Sequence, residues 1–255
     1  MLILLSPSKT IDTEICTTDK SSSQPLFTER STLLISELRK LTTDKLSKLM
    51  SISPKLAQLN YDRYQHWNPN HKLLNSKQAI FSFKGEAYTG LNADSFSDED
   101  LIYAQNHLVI LSGLYGMLRP LDLIQPYRLE ISTKLAIDNS KNLYAFWSNL
   151  VTKQLNESLM SQPNKLLVNL ASNEYSKVVN LKKLDANIVT PVFKENKNGS
   201  YKIVTVYAKK ARGMMTNFII KNRINTIDEM KFFYEGGYYY NDKLTEENQI
   251  VFTRG

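Results

Sequence analysis

Three stretches of this chain carry side chains that could do chemistry, and each follows an apolar run of strand length. Ser6-Pro7-Ser8-Lys9-Thr10 comes after Leu2 to Leu5 and offers hydroxyls, backbone N–H groups and one cation, at the kind of strand end where α/β proteins tend to hold ligands. It lacks the glycines of a Walker loop, so nucleoside triphosphate binding is not expected, and an ordinary strand exit accounts for it equally well. Asn169, Ser172, Glu174 and Tyr175 follow the run Leu166 to Leu170; they either line a cleft or simply cap a helix, with Ser172 or Asn173 at the N-cap. The densest stretch runs from Ile110 to Leu135, where Pro120 and Pro126 fix a long loop holding Arg119, Asp122, Tyr127, Arg128, Glu130 and Lys134. Such loops often carry function, although Arg119–Asp122 and Arg128–Glu130 could equally be local ion pairs pinning an irregular crossover. If the three stretches met, Asp122, Glu130 or Glu174 would be the candidate general acids or bases. Arginine and lysine would then stabilise developing negative charge, in an enzyme acting on a nucleotide, nucleobase or nucleic acid.

Charge points toward anions. The 255 residues carry 32 Lys plus Arg against 25 Asp plus Glu, a formal excess of +7, which favours phosphate-bearing partners. Between Glu195 and Asp228 there is no acidic residue, while Lys197, Lys202, Lys209, Lys210, Arg212, Lys221 and Arg223 are basic. Lys209 to Gly213 reads as the opening of an amphipathic helix, where cations oppose the macrodipole. A bound anion would explain that placement, as would a merely solvated helix start. Near residue 50, Thr42 or Thr43 can cap one short helix, and Ser53-Pro54 reads as N-cap and first position of another. Lys45, Lys48 and Lys55 surround the bend. A helix–hairpin–helix would hold DNA phosphates there, but its usual glycines are missing, and on pattern alone an amphipathic pair packed on the core is the simpler reading.

The elements that must position these groups are strands at Leu2 to Leu5, Leu108 to Leu111, Leu166 to Leu170, Ile188 to Phe193, Tyr201 to Tyr207 and Ile250 to Phe252, with Asn198-Gly199 as a hairpin turn. Helical spacing appears around Leu33 to Leu41, Leu143 to Leu155 and Met214 to Ile220. Strands and helices do not alternate strictly, so the expectation is a mixed α/β fold, one compact domain over residues 1–255 with a mixed sheet and flanking helices. The polar stretch Thr17 to Gln24 reads as an exposed loop. A lone Cys16 excludes an internal disulfide framework and fits a reducing, cytoplasmic setting. His66 and His71, separated by four residues and beside Trp67 and Pro69, read as surface histidines, and neither a metal nor a cofactor is expected. Met1 to Leu5 has no basic n-region and too short an apolar run for a signal peptide, and no membrane partner is expected.

Taken together, the motifs resemble the YaaA family of bacterial peroxide-stress proteins. The resemblance is carried by Ser6 to Thr10, Phe83-x-Gly85-x-x-Tyr88-x-Gly90-Leu91, Leu111 to Gly116 continuing through Arg119 to Asp122 and on to Lys134-Leu135, Leu143-Tyr144-x-Phe146-Trp147, Asn169 to Tyr175, Lys210 to Gly213 and Val251-Phe252-x-Arg254. It implies a single mixed α/β domain with a basic cleft, a helix–hairpin–helix-like element, sequence-tolerant binding of double-stranded or distorted DNA, and a part in keeping free iron low during peroxide stress. It favours the hairpin reading near residue 50 and points to Lys9, Arg119, Arg128, Lys134, Lys209, Lys210 and Arg212 as cleft cations. Ser6, Ser8, Thr10, Tyr127, Asn169, Ser172 and Tyr175 are then expected to line the cleft. Glu86-Ala87, Ile131-Ser132 and Thr216-Asn217 depart from the family pattern, the last by removing a cation.

Overall fold

Apolar β-branched and leucine-rich runs bounded by polar turns form the strands of one central sheet. The computed structural model describes residues 1–12, 14 and 21–255. Its strands are β1 (Leu2–Leu5), β2 (Thr10–Ile11), β3 (Lys77–Gln78), β4 (Phe83–Lys84), β5 (Leu108–Ser112), β6 (Gly116–Leu118), β7 (Leu123–Ile124), β8 (Leu166–Asn169), β9 (Asn187–Lys197), β10 (Ser200–Lys202), β11 (Tyr239–Tyr240) and β12 (Gln249–Arg254). The helices are α1 (Thr28–Arg39), α2 (Thr43–Met50), α3 (Pro54–His66), α4 (Ala79–Ser82), α5 (Glu86–Leu91), α6 (Asp98–His107), α7 (Leu143–Met160), α8 (Asn173–Ser176), α9 (Thr205–Lys221) and α10 (Ile227–Met230). The main sheet runs β11-β12-β9-β8-β1-β5-β6, with β10 paired to β9. Its five central strands are parallel, whereas β6, β10 and β11 pair antiparallel to their neighbours. The result is a single compact α/β domain with a mixed sheet.

Every residue of β1, β5 and β8 is buried, as expected for parallel strands covered on both faces. The core continues into α7 through Phe146, Trp147, Val151 and Leu155 and into α1 through Leu34, Ile35 and Leu38. Helix α9 meets α5 backbone to backbone. A Cβ on Gly213 would stand 1.8 Å from the Ala87 carbonyl oxygen, and one on Gly90 would stand 2.1 Å from that of Lys210. Asn217, one of the departures noted above, donates to the Leu91 carbonyl at 2.7 Å and ties the same two helices.

Two sequence expectations are corrected. The run Tyr201 to Tyr207 is strand only as far as Lys202, because helix α9 already begins at Thr205. Lys209 and Lys210 therefore lie beyond the first turn of α9, where the macrodipole's influence has faded, and their placement no longer calls for an anion. His71 is buried rather than on the surface, 4% exposed, with Nδ1 against the Pro69 carbonyl and Nε2 against the Tyr115 hydroxyl. Cys16 and residues 17–20 of the expected polar loop lie outside the described residues. No helix among the described residues is long and apolar enough to cross a membrane.

Candidate functional site

Because β8, β1 and β5 are adjacent and parallel, the turns that leave them emerge along one edge of the sheet. Those turns meet. Ser6 Oγ accepts the Ser172 N–H at 2.8 Å and donates to Ser172 Oγ at 3.2 Å, joining the exits of β1 and β8. Ser112, at the end of β5, shares a 2.6 Å hydrogen bond with the Tyr127 hydroxyl. The Tyr88 hydroxyl, from α5, donates to the Ser6 carbonyl at 3.1 Å. Gly113 lets the returning chain pass close by, since a Cβ there would sit 2.1 Å from the Leu129 carbonyl oxygen.

Glu130 is the centre of charge at this edge. Lys9 Nζ lies 2.9 Å from one of its carboxylate oxygens and Arg128 Nη2 lies 3.0 Å from the other. The Arg128 Nε is buried with no hydrogen-bond partner, while the Arg128 carbonyl accepts from the Tyr64 hydroxyl of α3. Around these groups is a crevice of about 10 Å³, lined by Ser8, Lys9, Tyr127, Arg128, Glu130 and Tyr175 among others, and no roomier than a single water requires. Burial, and then neighbouring tyrosines (Tyr127 and Tyr175 for the first, chiefly Tyr175 for the second), pushes the hydroxyls of Tyr88 and Tyr127 well above the ordinary tyrosine range. Tyr175 is raised by burial and by neighbouring Glu174 and Glu130. All three phenols therefore act as neutral hydrogen-bond donors and acceptors, not as bases.

Helix α8 brings in the third stretch. Ser172 is its N-cap and accepts the Tyr175 N–H, so both readings of this segment hold at once: the residue that caps the helix also joins the loops. Glu174 accepts from Ser132 at 2.6 Å, and its carbonyl accepts from Tyr144 at 2.9 Å. The buried Asn169 turns its side-chain oxygen to the Ala171 N–H at 3.2 Å. Thr10 opens β2 and is exposed, its N–H reaching back to Ser8 Oγ at 3.2 Å.

Arg119 and Asp122 do not join this cluster, which corrects the expectation of one crowded loop. Strand β6 runs antiparallel to β5 and carries the chain back to the opposite edge of the sheet. There Arg119 borders a cavity of about 520 Å³ near Leu2, His107 and Leu108. Asp122 is fully buried, takes hydrogen bonds from Arg119 and Ser23, and has its carboxyl raised by that burial. It is a structural anchor. Lys134, Lys209 and Lys210 are exposed. Arg212 is half-buried on α9 with no carboxylate partner among the described residues, and burial lowers its pKa. Tyr64, Tyr88 and Ser132 are the participants that sequence reasoning missed; Tyr88 stood within a motif, Ser132 only as a departure from one, and Tyr64 in none.

Helices α2 and α3 form the tight pair expected near residue 50. Thr42 and Ser53 cap their N-termini. Ser51 takes the left-handed conformation, φ 52°, that the absent glycine would otherwise supply. Lys45, Lys48 and Lys55 are exposed around this turn, and none makes a salt bridge among the described residues, where lysine pairs are those of Lys9, Lys40, Lys77, Lys84, Lys153, Lys165 and Lys231.

Fold and site together define a mixed α/β protein with its polar groups gathered at one edge of a parallel core and a lysine-bearing helical hairpin beside them. The family described as peroxide stress protein YaaA matches residues 1–244, and the chain belongs to that family. It is a peroxide stress protein on that ground.

Proposed function

We propose that this chain is a cytoplasmic, sequence-tolerant DNA-binding protein that helps limit the damage free iron and hydrogen peroxide do together. The observation that carries the reading is the α2–α3 turn, with three exposed, unpaired lysines and an anchoring hydrogen bond from Tyr64 to Arg128 at the crevice. Such lysines meet phosphate without first breaking an ion pair, and phosphate contacts of this sort carry no base preference. Fluorescence anisotropy with duplex and gapped DNA at two salt concentrations tests it. Affinity should fall steeply with salt, and replacing Lys45, Lys48 and Lys55 by Ala should reduce the log–log slope by about 2 to 3. No binding at low salt would remove the reading.

A second reading is favoured by the convergence of the three strand exits. Lys9, Arg128 and Glu130 form a cation–carboxylate–cation array suited to acid–base work on a nucleotide, nucleobase or nucleic acid, with Glu130 taking a proton and the cations stabilising the resulting anion. Glu174, held by Ser132, is the alternative base. Incubation with DNA and nucleotides followed by mass spectrometry, comparing wild type with Glu130→Gln, distinguishes it from pure binding. Product formed only by the wild type supports catalysis.

A further inference from the structure

We propose that Tyr115 and His71 form a buried proton-coupled redox pair, in which the phenol gives up one electron to an oxidant of the hydroxyl-radical class while its proton passes to the imidazole. The inference goes beyond the DNA-binding and acid–base readings and depends on neither. Tyr115 is fully buried and His71 nearly so.

Hydrogen bonding fixes where the protons lie. The Pro69 carbonyl can only accept, so its 2.9 Å contact places a hydrogen on His71 Nδ1. In a neutral ring Nε2 then carries a bare lone pair, and it lies 3.2 Å from the Tyr115 hydroxyl. The Tyr115 oxygen already accepts from the Trp67 indole N–H at 3.0 Å and from the Gln125 N–H at 3.3 Å. Its own O–H is left to donate to Nε2. Burial lowers the imidazole's pKa and raises the phenol's, which keeps both partners neutral before the electron leaves.

The neighbouring buried phenols have other partners. Tyr64 and Tyr88 donate to the backbone carbonyls of Arg128 and Ser6, and Tyr127 shares its bond with the Ser112 hydroxyl. Those oxygens are far weaker bases than imidazole. Tyr238 meets a carboxylate, Glu195, which the Arg254 guanidinium also engages. Among the described residues, Tyr115 is the phenol bonded to an imidazole.

The electron has two ways out. Trp67, whose indole bonds the Tyr115 oxygen, is followed in the chain by the exposed Asn68, Pro69 and Asn70. On the other side the Tyr127 ring stands edge-on to Tyr115, 5.4 Å between centroids, and lines the crevice. A hydroxyl radical that takes an electron from either ring becomes hydroxide, which solvent protonates to water. The electron vacancy then passes to Tyr115. Its O–H bond breaks as the proton bonds to His71 Nε2, leaving a neutral phenoxyl radical beside an imidazolium. That imidazolium donates from both nitrogens, to the Pro69 carbonyl and to the phenoxyl oxygen, so the product is as fully hydrogen-bonded as the starting pair.

The test generates azide radicals by pulse radiolysis at a substoichiometric dose. Tyrosyl radical is followed by optical absorption and by electron paramagnetic resonance of freeze-quenched samples. Wild type should form a persistent tyrosyl species, more slowly in deuterium oxide than in water. Tyr115→Phe should lose that species and keep only the short-lived radicals of exposed tyrosines, which couple to one another. His71→Gln, which keeps a hydrogen-bonding side chain but supplies no base, should slow its formation by about a hundredfold or more and remove the isotope effect. Thermal melting of each variant controls for folding. Wild type without a persistent tyrosyl species overturns the pair whatever the variants do. The same species at undiminished yield in Tyr115→Phe, or formed at the wild-type rate in folded His71→Gln, overturns it as well.

Discussion

The hairpin of α2 and α3 and the crevice above β1, β5 and β8 display the same kind of cation in opposite electrostatic states. Lys45, Lys48 and Lys55 stand in solvent without carboxylates, whereas Lys9 and Arg128 are both held by Glu130. The hairpin can take up phosphate at once. The crevice can do so only if Glu130 is displaced or neutralised. The two regions also differ in construction: the hairpin is local in sequence, closed by caps at Thr42 and Ser53, while the crevice is assembled from contacts across 166 residues, such as Ser6 with Ser172. A count of basic residues therefore says little about where anions bind; the pairing of each cation decides it.

The largest expected effect comes from breaking the crevice's construction. Gly113→Ala forces a Cβ against the Leu129 carbonyl and should destabilise the protein by roughly 3 kcal/mol or more. Urea unfolding would register this, and an unchanged midpoint would show that the loop yields freely. Next is Glu130→Gln, which frees Lys9 and Arg128. It should raise DNA affinity at low salt by about tenfold and steepen the salt slope by 1 to 2, making the crevice behave like the hairpin; flat anisotropy titrations would erase the contrast drawn above.

Acid offers a third, smaller probe. The Glu14 N–H and the ammonium groups of Lys77 and Lys84 hold the Asp12 carboxyl down at about 2. A depressed carboxyl contributes stability that is fully present above its unfolded value and is lost as pH falls from about 4 through about 2. Asp12→Asn should flatten that limb of the stability–pH curve measured by chemical unfolding. The smallest effect belongs to the hairpin: Ser51→Gly relieves a left-handed serine and should change stability by at most about 1 kcal/mol in the stabilising direction, with salt-dependent DNA binding intact.

Legibility followed the same division. Caps and proline at Thr42, Ser53 and Pro54 are local signals, and the α2–α3 pair appeared where they pointed. The buried strands were equally plain, since runs such as Leu2 to Leu5 carry their own length and burial. What periodicity could not convey was direction. Arg119 and Arg128 are nine residues apart, yet an antiparallel return through β6 puts them at opposite edges of the sheet. Likewise, the basic run at Lys209 looked like a helix start because apolar residues from Ile203 to Tyr207 suit strand and helix alike, and tertiary packing of α9 on α5 settled the choice. Tyr64 lies in an unremarkable amphipathic helix, and nothing local marks its bond to Arg128.

The glycine contact between α5 and α9 has a mechanical corollary. With Gly90 and Gly213 letting the two backbones touch, there is no side-chain layer to act as a lubricant, so the pair must shift as one rigid lever. Because Tyr88 on that lever grips the Ser6 carbonyl, any load taken up along the basic helix is transmitted to the exit of the first strand.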